Sequence, residues 1–189
     1  MASIASLALA GFFLWTGTAG ASEWAAQAPS PVLKAPETIF VRLTGYNAVP
    51  EQTDGDPHIT ASGAFSNPDV IAARSRDLAD SLPFGTVIML ESPQKSNSCG
   101  FDTVDHLIGY RVIADTMHES KRKQVDIMFD TADTVLMEVS GNPQKATNPA
   151  VALGVCRVSI RVVGKIALKD IPATQAHLAR LMNRALALR

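Results

Sequence analysis

Six short runs of strand-forming residues, set apart by glycine, proline and asparagine turns, constrain this chain more than any other feature. They are Ile39–Tyr46, Val70–Ala73, Thr86–Leu90, Tyr110–Ala114, Gln124–Phe129 and Arg157–Val163. Runs of this length bounded by turn residues predict β-strands, so the core is predicted to be mainly β. Two aspartates stand in these apolar surroundings: Asp115 in Val112-Ile113-Ala114-Asp115-Thr116-Met117, and Asp126 in Gln124-Val125-Asp126-Ile127-Met128. An ionised carboxylate there is costly unless it is paired, hydrogen-bonded or kept protonated. Each aspartate therefore either ties off a crossing loop by accepting backbone N–H bonds, or has its proton affinity tuned for chemistry. The sequence leaves both readings open.

Helical signals are few. Asp77–Ser81 reads as a turn or short helical piece ending at Pro83, Thr131–Val139 as one helix, and Asn148–Leu153 as a half-turn leading to Gly154. Residues 140–149 carry turn residues throughout and read as an exposed insertion. Pro172–Leu188 predicts an amphipathic helix with Ile171, Leu178, Leu181, Met182, Ala185 and Leu186 on the apolar side. That face suits docking onto the barrel better than an anionic surface.

The first 22 residues contain no charge, and Ile4–Trp15 is almost continuously apolar. Ala19-Gly20-Ala21 supplies the small-x-small pattern of signal cleavage, predicting residues 1–21 as a signal peptide and Ser22 as the mature start. The usual Lys or Arg ahead of the run is missing, which leaves retention as an anchor open, although the run is short for a full span. Residues 22–37 read as a Pro/Ala linker, 38–168 as the barrel and 169–189 as the C-terminal helix. The expected protein is exported, periplasmic or envelope-associated, and a monomer without a stable membrane span once the signal is removed. An oxidising compartment permits a Cys99–Cys156 disulfide; the alternative is two unpaired thiols. The bridge closes 57 residues, worth about 4 kcal/mol on the chain-entropy model.

A net charge of −1 and a pI near 6.4 give no electrostatic case for nucleic acid. Phosphate-loop, dinucleotide, zincin and CxxC patterns are absent. The Asp54-Gly55-Asp56 stretch hints at calcium, but the EF-hand spacing fails at His58, and the four histidines show no ligand spacing. No metal or cofactor is expected. The segment Thr116–Val125 joins the two aspartate-bearing strands and carries His118, Glu119, Lys121, Arg122 and Lys123, so both carboxylates are predicted at the same end of a sheet. Paired carboxylates in a groove are the equipment of glycosidic-bond cleavage, one protonated as general acid and the other ionised. Trp24 is the only tryptophan after the signal segment; sugar stacking would fall to Tyr46, Phe65 or Tyr110.

The ordered set Gln52-Thr53-Asp54 with Pro57, Thr60-Ala61-Ser62-Gly63, Leu82-Pro83-Phe84-Gly85-Thr86, Val112–Met117, Val125-Asp126-Ile127 and Ala152-Leu153-Gly154 resembles the 3D (three-aspartate) domain. This is the double-psi β-barrel module shared with membrane-bound lytic transglycosylase A and the stationary-phase muralytic proteins of spore formers. The resemblance runs from about Tyr46 to Val163. It implies a six-stranded double-psi barrel that cleaves the MurNAc–GlcNAc β-1,4 bond of peptidoglycan glycan strands, the MurNAc C6 hydroxyl replacing water in the lytic version. It implies Asp126 as general acid/base and Asp115 as the second aspartate. The third is matched by Asp77, with Asp80 as runner-up. Thr60 would line the groove, with Gln52 and Tyr46 beside it. Where many catalytic members read Asp-Thr-Gly-Gly, this chain reads Asp115-Thr116-Met117-His118, and the 140–149 segment has no counterpart in compact members. A non-catalytic polysaccharide-binding barrel and an interaction protein using the tail helix are the other classes the sequence admits.

Overall fold

The computed structural model describes residues 38–53, 56–91, 99–139 and 142–187. The predicted signal segment and the whole predicted linker, residues 22–37, lie outside the described residues. The chain folds as β1 (Thr38–Asn47), β2 (Ile71–Arg74), β3 (Thr86–Glu91), α1 (Phe101–Ile108), β4 (Tyr110–Thr116), β5 (Gln124–Phe129), β6 (Val135–Val139), β7 (Asn142–Thr147), α2 (Pro149–Leu153), β8 (Cys156–Lys165) and α3 (Gln175–Ala187). Six strands close a barrel in the order β1-β5-β2-β4-β3-β8. The β1·β5 and β2·β4 pairs are parallel and the other four antiparallel. Exchanging β1, β2 and β3 for β4, β5 and β8 returns the same circular order, so two three-stranded halves interlock in the double-psi manner.

Strands covered on both faces read as near-continuous apolar runs rather than as alternating ones, and β2 is buried at every position. Leu43, Ile113, Val125 and Ile127 pack on one face with Phe101, Val104 and Ile108 of α1 and Leu153 of α2. Ile71, Ala73, Val112, Ala114 and Met128 pack on the other with Leu178 and Met182 of α3. Cys99 and Cys156 form the disulfide, joining the approach to α1 to the first residue of β8.

Two devices fix the strands that carry the aspartates. The buried Arg111 side chain of β4 donates to the carbonyls of Leu107 (2.6 Å), Ile108 (2.7 Å) and Met128 (3.0 Å), tying β4 to β5 and to α1. Burial lowers its pKa to about 10, leaving it charged at neutral pH. Gly85, in the Leu-Pro-Phe-Gly-Thr turn, sits at φ +84°, and a Cβ there would meet the Ile166 carbonyl at 2.3 Å. Its N–H donates to Ile113 O and its own carbonyl accepts from Ile166 N–H, so this turn clips β3 between β4 and the end of β8.

The segment after β5 differs from expectation. Val135–Val139 is a strand, not part of a helix, and pairs with β7, which occupies most of the predicted insertion. Val135 is buried, Leu136 exposed and Met137 half-buried, the period of two that marks a strand. Helix α1 arises from Phe101, Val104 and Ile108 at helical spacing, a pattern with no predicted counterpart. The tail helix docks as expected: Leu178 and Met182 are buried, and Gln175 Nε2 donates to the carbonyls of Ile108 (2.9 Å) and Tyr110 (2.6 Å). Among the described residues no helix is long and apolar enough to cross a membrane.

Candidate active site

Strand register lines up four positions across the barrel wall. Thr44 of β1 pairs with Asp126 of β5, Asp126 with Ala73 of β2, and Ala73 with Asp115 of β4. The aspartates are thus two strands apart, which places their Cα atoms roughly 10 Å from each other, with only a methyl group between them. Strict alternation does not put them on one face. Asp126 faces away from the Val125/Ile127 side, but by the same count Asp115 would share the face of Ile113. The register between β2 and β4 jumps here: Ala72 pairs with Ile113 and Ala73 with Asp115, leaving Ala114 as the extra residue. A bulge re-aims the side chain that follows it, and this one turns Asp115 to the side of Tyr46 and Asp126.

The two carboxyls have different surroundings. Asp115 is held by three donors: Tyr46 Oη to Oδ2 at 2.8 Å, Ala61 N–H to Oδ1 at 2.9 Å, and its neighbour Thr116 N–H to Oδ1 at 2.8 Å. It therefore ties the 59–65 loop to the barrel, one of the two roles the sequence left open. Among the described residues Asp126 accepts from no backbone group. Its Oδ1 takes the Thr44 hydroxyl, which in turn accepts from Gln124 Nε2 at 2.8 Å. Burial pushes the Asp126 carboxyl above its ordinary range; the Thr44 bond and the Lys121 ammonium oppose this, while Asp115 adds to it. Tyr46 is likewise raised, first by burial and then by Asp115, so it stays a neutral phenol able to donate.

Both carboxyls open into a cavity of about 480 Å³ whose lining also includes Tyr46, Gln52, Thr60 and Lys121. Five of the six residues expected to act on substrate therefore meet here. Gln52 Oε1 accepts Asn47 N–H at 2.9 Å, and Thr60 Oγ1 donates to Ala64 O at 3.1 Å, so each also shapes the rim. Asp77 is the exception. It lies exposed in the 3-10 turn Arg76–Leu78, outside the cavity, accepting Lys123 N–H at 3.0 Å. The Ser75 hydroxyl first, then that N–H, hold its pKa below the ordinary value against some desolvation. Asp80 is also exposed and outside the lining. Of the aromatic candidates for sugar stacking, Tyr46 is buried and bonded to Asp115, Tyr110 lines a different cavity beside Gln175, and Phe65 is 68% exposed.

Sequence reasoning missed Thr44, Gln124 and Ala73 as parts of the site. Thr44 and Gln124 are polar interruptions of strand runs in the same sense as the aspartates, which was the signal available for them. Among the described residues no group of three or more His, Cys, Asp or Glu side chains is placed to hold a metal ion. Comparison with protein-family models, with curated proteins and with solved structures found no match to this chain.

Proposed function

We propose that this protein is an exported, peptidoglycan-cleaving glycosidase of the lytic-transglycosylase kind, acting on the MurNAc–GlcNAc β-1,4 bond. The observation that carries the reading is the pair of unlike carboxyls facing one cavity: a desolvated Asp126 with raised proton affinity, and an Asp115 fixed by three donors. Carboxyls whose environments differ in this way divide the labour of acid and electrostatic partner. The resemblance to the 3D domain selects the glycan as substrate, and the mainly β barrel agrees with it.

In this reading protonated Asp126 gives its proton to the glycosidic oxygen as the bond to MurNAc C1 breaks. Asp115 offsets the positive charge that develops on the sugar ring. The MurNAc C6 hydroxyl attacks C1 and loses its proton to the Asp126 carboxylate, which regenerates the acid without consuming water. Tyr46 holds Asp115 in place, and the open rim of Gln52 and Thr60 accommodates the strand. Neither metal nor cofactor is needed for these steps.

Release of soluble fragments from purified sacculi tests the reading, comparing wild type from Ser22 with Asp126→Ala and Asp115→Asn. Release by wild type, lost in Asp126→Ala, supports it. Sacculi that stay intact with all three proteins while each co-sediments with them would replace it by the polysaccharide-binding barrel. The observation favouring that second reading is that Asp115 is occupied with holding a loop.

A further inference from the structure

A general acid needs its proton on one particular oxygen, and the donors around Asp126 settle which. A threonine hydroxyl has a single hydrogen, whereas its oxygen can accept two bonds. Gln124 Nε2 donates to Thr44 Oγ1 at 2.8 Å, and Gln124 itself is buried, at 4% exposure. Its backbone is pinned as well: Gln124 N–H donates to Ser75 Oγ at 3.1 Å, and its carbonyl accepts Ser75 N–H at 2.9 Å. With Thr44 already an acceptor towards Gln124, its hydrogen is free for Asp126 Oδ1, and that is the bond found. Oδ1 is therefore used as an acceptor. Oδ2 has no hydrogen-bond partner among the described residues, and it is not among the sealed polar atoms, so it opens to the cavity that Asp126 lines.

We propose that Gln124 and Thr44 are positioning residues for Asp126: the amide orients the hydroxyl, the hydroxyl commits Oδ1, and Oδ2 is left to carry the transferable proton into the cavity. This rests on the glycosidase reading for its purpose, but not for its geometry. Neither residue lines the cavity, so they act through Asp126 and not on substrate. The register explains the economy of the arrangement: Thr44 is the cross-strand partner of Asp126, and Gln124 is its neighbour two residues along the same strand and on the same face. The charged and titratable groups that face Asp126 from other elements are Tyr46 on β1, Asp115 on β4, and Lys121 on the segment between β4 and β5. Glu51, Asp56 and His118 lie elsewhere in the cavity lining.

The test uses the mature protein with Thr44→Val, Thr44→Ser and Gln124→Met, read in two independent ways. Carbon-13 NMR of aspartate-labelled protein follows the Asp126 carboxyl against pH, with Asp126→Asn for assignment. Losing the hydroxyl removes a bond that favours the ionised form, so Asp126 is expected to titrate at higher pH in Thr44→Val. A smaller move in the same direction is expected in Gln124→Met, and none in Thr44→Ser. In sacculus cleavage the same order is expected in kcat, a roughly tenfold to hundredfold fall for Thr44→Val with KM unchanged, and the high-pH limb of the profile displaced upward. Thr44→Ser restores both, which a packing defect would not allow. Titration in Thr44→Val and Gln124→Met that coincides with wild type overturns the proposal whether or not glycan is cut. Normal displacement of the titrations in a protein that cuts nothing leaves the relay standing and removes the glycosidase reading.

Discussion

Replacing Tyr46 by Phe removes one oxygen and tests whether Asp115 is held as described. The Tyr46 hydroxyl lies 2.8 Å from Asp115 Oδ2, and the ring is only 7% exposed. A hydrogen bond to a charged acceptor is worth about 1.5–3 kcal/mol. Asp115 is half-exposed, which places the expected loss at the lower end, about 1.5 kcal/mol. For a domain of this size that corresponds to a fall in Tm of roughly 3–6 °C. A double-mutant cycle with Asp115→Ala isolates the pair. Asp115→Ala alone also strips the Ala61 and Thr116 N–H groups of their acceptor, but those losses recur in the double variant and cancel. Urea unfolding at pH 7 with the disulfide intact should return a coupling energy of about 1.5 kcal/mol. Additivity within about 0.5 kcal/mol would refute the bond, and with it the claim that Asp115 is pre-positioned.

Reducing the Cys99–Cys156 bridge, which closes 57 residues, should cost about 4 kcal/mol and lower Tm by roughly 8–16 °C; thermal melts with and without reductant measure it, and a shift under about 2 °C would contradict the entropic account. Asp126 is raised by burial, so its protonated form favours the fold: the contribution is complete below the unfolded carboxyl pKa and is lost as pH rises through the folded one. Asp126→Asn should therefore gain stability relative to wild type as pH climbs from about 4 towards neutrality, and melts showing a constant gap would contradict the raised pKa. Gly85→Ala places a Cβ 2.3 Å from the Ile166 carbonyl at φ +84° and should destabilise by more than about 1 kcal/mol; chemical denaturation reads it, and a neutral outcome would mean the turn is not clamped.

The central strands β2, β4 and β5 were legible because they are buried on both faces over most of their length and so read as dense runs of apolar residues between turns, while β1 and β8 alternate buried with more exposed positions. The 131–149 segment was not. Its alternation at Val135, Leu136 and Met137 spans too few residues to outweigh the look of a helix, and its partner Asn142–Thr147 has turn-like composition. Asp115 and Asp126 announced themselves as charges within apolar runs. That they share a face depends on the extra residue at Ala114, and a bulge leaves no mark in sequence. The short distance in sequence between Asp126 and Gln124 concealed nothing, but their joint hold on Thr44 requires β1 and β5 to be parallel neighbours in one particular register. Asp77 was chosen by its place before the Leu-Pro-Phe-Gly-Thr turn; the barrel leaves it on the outside, binding Lys123.

The lytic reading is tested most directly by the products of sacculus digestion by the protein from Ser22 in water enriched in oxygen-18, read by mass spectrometry. It predicts 1,6-anhydro-muropeptides carrying no heavy oxygen at the MurNAc end, formed by wild type and absent with Asp126→Ala. Reducing ends labelled with oxygen-18 would contradict the intramolecular attack by the C6 hydroxyl. The absence of any glycan product at every pH would contradict the glycosidase itself.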